Sequence, residues 1–102
     1  MDITLLYFDD CPNWGQAAKH LDRLAAEFTD LNVTRRLVTT EQDAQSVGFH
    51  GSPSILIDGE DVFAPNDAPV GLSCRMYQTP DGSAGSPTIE QLRDAVTARR
   101  SV

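Results

Sequence analysis

The stretch "ITLLYFDDCPNW", residues 3–14, passes from an almost continuously apolar run through two aspartates to a cysteine, a proline and a tryptophan. Such a run suits a strand covered on both faces in the middle of a sheet, where no face has to read as polar. From Pro12 onward the period changes. Trp14, Ala17, Ala18, Leu21, Leu24, Ala25 and Phe28 recur at the three-and-four spacing of one helix face. Pro12 suits the first helical turn, where its missing N–H is no loss, and Asp10 or Cys11 then stands as N-cap. Cys11 therefore sits where a buried strand hands over to a helix.

Downstream, "LNVTRRLV" (31–38) alternates as a half-exposed edge strand, with Leu31, Val33 and Leu37 on one side and Asn32, Thr34 and Arg36 on the other. "TEQDAQSVG" (40–48) reads as a short helix, with Thr40 as N-cap and Gly48 just past the end. "PSILID" (53–58) is a third strand, followed by a turn. "LSCRMYQT" (72–79) reads as a fourth strand, although "DVFA" inside the irregular stretch 59–71 competes for that place. "PDGSAGSP" reads as loop. "TIEQLRDAVTARR" (88–100) is a last helix, opened by a Thr88/Gln91 capping box.

The 102 residues make one domain, and the composition, 40% apolar and 23% charged, is ordinary. No apolar run approaches a membrane span and no basic leader stands at the start, so a cytoplasmic protein is expected. A formal net charge of −7 excludes phosphate-backbone binding to nucleic acid, since the basic clusters are only Arg35-Arg36 and Arg99-Arg100. Two cysteines, Cys11 and Cys74, are too few for a disulfide scaffold, and with His20 and His50 they offer no closely spaced pair of metal ligands. Neither a metal nor another cofactor is expected.

The strand–cysteine–helix junction, the β-α-β-β-α remainder and "GFHGSPSILIDG" (48–59) together resemble the thioredoxin superfamily. The Gly51-Ser52-Pro53 stretch entering an apolar strand matches that family's loop, in which the proline is cis and faces the reactive cysteine. The resemblance implies an α/β, thioredoxin-like domain over 1–102, with a four-stranded mixed sheet in the order 2-1-3-4 and helices on both faces. Right-handed crossovers make strands 1, 2 and 3 parallel, with strand 4 antiparallel. The second cysteine of the usual Cys-x-x-Cys is replaced by Trp14, so exchange within that motif is impossible. "CPN" near the start and "CR-x-Y" at Cys74 also resemble small bacterial thioredoxin-like proteins.

The implied chemistry centres on Cys11. A thiolate is the nucleophile, and a helix N-terminus favours it while Asp9 and Asp10 oppose it. Cys74 is the candidate resolving thiol, a small thiol or a partner protein being the substitute. Against this stands its reading as a core residue near mid-sheet, because a disulfide needs Cα atoms within about 7 Å. Pro12, Trp14, Ser52 and Pro53 are candidate substrate-binding residues, although Trp14 lies on the apolar helix face and also reads as core. His50 and His20 read as surface residues. Arg75 alternates with Cys74 and so faces the other side of the sheet or solvent, where a carboxylate of a thiol such as glutathione would find it. Val62, Phe63 and Pro65 form either an exposed apolar patch or a loop folded back on its own core.

Three functions are compatible with these residues. The first is a thiol–disulfide oxidoreductase working through Cys11, with a protein or small-molecule thiol as partner. The second is a redox-inactive binding module on the same fold. An outsider is organomercurial lyase-like chemistry, for which Cys11, Cys74 and Asp9 or Asp10 supply the groups without the spacing.

Overall fold

The computed structural model describes residues 1–9, 14–63, 70–72 and 74–100. Four strands form one sheet: β1 (Asp2–Tyr7), β2 (Asn32–Leu37), β3 (Ser54–Ile57) and β4 (Glu60–Asp61), in the spatial order β2-β1-β3-β4. The helices are α1 (Trp14–Glu27), α2 (Glu41–Val47) and α3 (Ile89–Arg100). A hairpin of β5 (Tyr77–Thr79) and β6 (Gly82–Ala84) stands apart from the main sheet.

The apolar first strand lies inside the sheet, as its composition requires. Alternation along β1 sends Ile3 and Leu5 to one face and Leu6 to the other. On the first face they meet Ala17, Ala18, Leu21 and Leu24 of α1 and Leu92 and Val96 of α3. On the second, Leu6 packs with Val38, Ala44 of α2 and Phe49. The sheet is thus covered by helices on both sides.

One expectation is corrected. β1 and β2 are parallel, with Asp2 opposite Asn32 and Tyr7 opposite Leu37. β3 is antiparallel to β1, with Ile3 opposite Ile57 and Leu6 opposite Ser54. The reason lies in α2. Its seven residues span only about 10 Å at 1.5 Å each, whereas a six-residue strand runs about 20 Å. A helix this short cannot carry the chain back to the far end of the sheet, so β3 enters at the end where β2 left. β4 then pairs antiparallel with β3 through the Asp58-Gly59 turn, both residues at positive φ (51° and 86°).

The fourth strand is Glu60–Asp61, and the described residues of 72–79 form no strand of the main sheet. Only its last residues form β5, which pairs with β6 inside the stretch read as loop. Thr79 ties this turn, its hydroxyl donating to the Gly82 carbonyl (2.6 Å) and accepting from the Asp81 N–H (3.2 Å), with Gly82 at a φ of 109°. On β2, Leu37 is exposed and the next residue, Val38, is the buried one.

The caps fall where their residue types place them. The Thr40 hydroxyl accepts the Asp43 N–H (3.0 Å) and Gly48 takes the left-handed conformation. Thr88 and Gln91 bond reciprocally, Thr88 N–H to Gln91 Oε1 (2.9 Å) and Gln91 N–H to the Thr88 hydroxyl (3.1 Å). Among the described residues no helix is long and apolar enough to cross a membrane.

Candidate functional site

The antiparallel direction of β3 decides what meets at the exit of β1. Ser54 pairs with Leu6, so the loop before it, Gly51-Ser52-Pro53, lies beside the last residues of β1. Ser52 makes the link: its hydroxyl accepts the Phe8 N–H (3.0 Å) and it is fully buried. The Ser52–Pro53 peptide is cis, as the resemblance implied. In a parallel β3 this loop would lie at the opposite end of the sheet from Phe8.

The Cys74 segment docks on the same loop. Ser52 and Cys74 form an isolated parallel bridge, and the Arg75 N–H donates to the Ser52 carbonyl (3.0 Å). Cys74 is therefore not a core residue of a central strand. It is solvent-exposed, and it is disulfide-bonded. The chain holds one other cysteine, Cys11. Cys11 and Pro12 lie outside the described residues, as does the start expected for the first helix. Trp14 opens α1 as described and stacks on Tyr7, the last residue of β1, with ring centroids 4.4 Å apart. It is half-buried against the core. Of the residues singled out from sequence, Cys74, Ser52 and Pro53 form one cluster, and Trp14 stands on α1 against the end of β1.

Arg75 does not face solvent. Its guanidinium grips Asp61 of β4 with both nitrogens (2.7 and 3.3 Å), and both side chains are nearly buried, at 10% and 7% exposure. It also reaches the Ser54 hydroxyl (3.5 Å) and lies 4.5 Å from the centroid of the Tyr77 ring. The Tyr77 hydroxyl donates to the Pro53 carbonyl, and Phe63 meets the Tyr77 ring edge-on at 5.7 Å. Val62 and Phe63 thus fold back on the core, while Pro65 lies outside the described residues. Upstream, the Gly71 N–H donates to the Phe49 carbonyl and the Leu72 N–H to Glu41 (3.3 Å). The exposed Cys74 is therefore carried by a segment anchored on both sides.

Asp61 and Tyr77 were given no chemical role from sequence, although Tyr77 closes the "CR-x-Y" stretch. Tyr77 left a trace, since it repeats the alternation of Arg75 two residues on. Asp61 left none, because only the β3–β4 turn brings it to Arg75. Burial pushes the Tyr77 phenol up from its ordinary value; the Asp61 carboxylate adds to the shift and the Arg75 guanidinium opposes it. The folded chain therefore holds this proton where the unfolded chain, ionising near pH 10, gives it up. Stability is fully present below about pH 10 and falls as pH rises above it. Tyr77→Phe is expected to flatten that alkaline fall in urea-unfolding measurements across pH. A fall of the same size in the variant would show that Tyr77 is not its source.

Among the described residues no group of three or more His, Cys, Asp or Glu is placed to hold a metal ion. No family model, no curated protein and no solved structure matches the chain.

Proposed function

We propose that the chain is a thioredoxin-like thiol–disulfide oxidoreductase in which Cys11 attacks and Cys74 resolves. The observation that carries this reading is that Cys74 is disulfide-bonded, exposed to solvent and bridged to Ser52. Exposed disulfides are the ones open to thiol attack and to regulatory or catalytic use. Ser52 also holds Phe8, three residues before Cys11, which favours Cys11 as the partner of Cys74. In a reducing compartment such bonds are usually transient and catalytic.

In the reduced form the Cys11 thiolate attacks a disulfide RSSR. A Cys11–S–S–R bond forms, the S–S bond of RSSR breaks and one RS⁻ leaves. The Cys74 thiolate then attacks the Cys11 sulfur and expels the second RS⁻. The two leaving thiolates take up the protons released by Cys11 and Cys74. Both electrons pass from the protein dithiol to RSSR, which ends as two thiols.

The test mixes the reduced protein with bis(2-hydroxyethyl) disulfide and follows released thiol. Wild type is expected to release both halves of the reagent. Cys74→Ser releases one half and keeps the other on Cys11. A wild type that releases neither half is a binding module rather than an oxidoreductase.

A further inference from the structure

We propose that Arg75, through its ion pair with Asp61, is a positioning residue that keeps Cys74 docked at Ser52 after the disulfide opens, so that the reduced thiols stay aligned to re-form it. This rests on the oxidoreductase reading above and assigns the device that sets its equilibrium. Contacts other than the disulfide hold the Cys74 segment, among them the backbone bridge to Ser52 with its Arg75 N–H on the Ser52 carbonyl, the forked Arg75–Asp61 pair, and the Tyr77 hydroxyl on the Pro53 carbonyl. None of these involves a sulfur atom, so opening the disulfide removes none of them. The ion pair is nearly buried, at 10% and 7% exposure, and its fork gives it direction as well as charge. Its two members come from β4 and from the residue after Cys74, so it fastens the cysteine segment to the far edge of the main sheet.

The consequence is one of effective concentration. A thiol held next to its partner closes a disulfide against external thiol far better than one on a loose segment. Cutting the clamp matters less in the oxidised protein, where the disulfide still tethers the segment. In the reduced protein the same cut frees the segment. The equilibrium therefore moves toward the dithiol.

The exchange read out is protein disulfide plus two glutathione thiols giving protein dithiol plus glutathione disulfide. Glutathione loses the two electrons that the protein gains. Wild type, Arg75→Ala, Asp61→Asn and Arg75→Lys are equilibrated in glutathione buffers of varied ratio, acid-quenched and alkylated, and the oxidised fraction is measured by mass. Arg75→Ala and Asp61→Asn are expected to be easier to reduce by about tenfold, or about 30 mV for a two-electron couple. Arg75→Lys, which keeps the charge and loses the fork, should fall between them and wild type. Should Arg75→Ala fail to fold, Asp61→Asn and Arg75→Lys carry the comparison. A merely structural clamp would lower urea stability equally in both redox forms and leave the glutathione equilibrium where it was. That result overturns the inference alone. A wild type that never exchanges with glutathione overturns the oxidoreductase reading and this inference with it.

Discussion

Asp61→Ala is expected to lose about 3–5 kcal/mol of folding stability, the loss typical of breaking a buried ion pair by removing one member. The carboxylate is 7% exposed and takes both nitrogens of an equally shielded guanidinium. Without it, Arg75 keeps, among the described residues, a long bond to the Ser54 hydroxyl and the face of the Tyr77 ring. A buried cation with neutral partners costs far more than an apolar side chain in its place. Typical domains are stable by only about 5–15 kcal/mol, so this single change brings the chain close to unfolding. The double variant Asp61→Leu with Arg75→Met removes both charges and fills the space, and should recover most of the loss. Urea unfolding with an unchanged slope measures both. A loss below about 1 kcal/mol for Asp61→Ala would place the pair among solvent-screened ones.

Phe49→Ala is the second large effect, about 3–5 kcal/mol, as expected for emptying an aromatic site in a core. Phe49 is wholly inaccessible and packs with Leu6, Val38 and Ala44 on the face of the sheet covered by α2. Among the described residues that cluster has four buried members, fewer than the one under α1 and α3, so less remains to close over the cavity. The carbonyl of Phe49 also receives the Gly71 N–H, one of the anchors of the segment leading to Cys74. The variant should therefore show faster amide exchange at Gly71 as well as a lower urea midpoint. Leu37→Ala is the control. Leu37 is 41% exposed at the sheet edge and its loss should stay within about 0.5 kcal/mol. Equal losses at the two sites would mean that the second face holds no close-packed core.

Most local signals in the sequence read correctly; of the long-range ones, the strand order 2-1-3-4 did and the direction of β3 did not. The apolar run at 3–8 announced a central strand because a strand flanked on both edges has no wet face, and β1 lies there. Thr40, Gly48, Thr88 and Gln91 marked helix ends because capping needs only residues close in the chain. The direction of β3 was misread because the crossover rule assumes a helix long enough to return the chain, and α2 is not. The fourth strand was misplaced because β4 is only two residues long and leaves no period to detect. At the candidate site, Ser52 and Pro53 were legible from their loop, and Cys74 from its chemistry. Arg75 was left between the other side of the sheet and solvent because alternation assigns a face without saying what covers it. Its cover is Asp61, brought in by a turn whose partner lies 14 residues away.

The proposed oxidoreductase activity requires reversible pairing of Cys11 with Cys74. Intact-mass and peptide-level mass spectrometry of the native protein, taken through glutathione buffers from oxidising to reducing, tests this most directly. The predicted result is a single conversion between a form carrying a Cys11–Cys74 linked peptide and a form with both thiols free, while Cys74→Ser accumulates glutathione on Cys11. A disulfide that opens only on denaturation, or a Cys11 that stays unlinked and unmodified throughout, would contradict it.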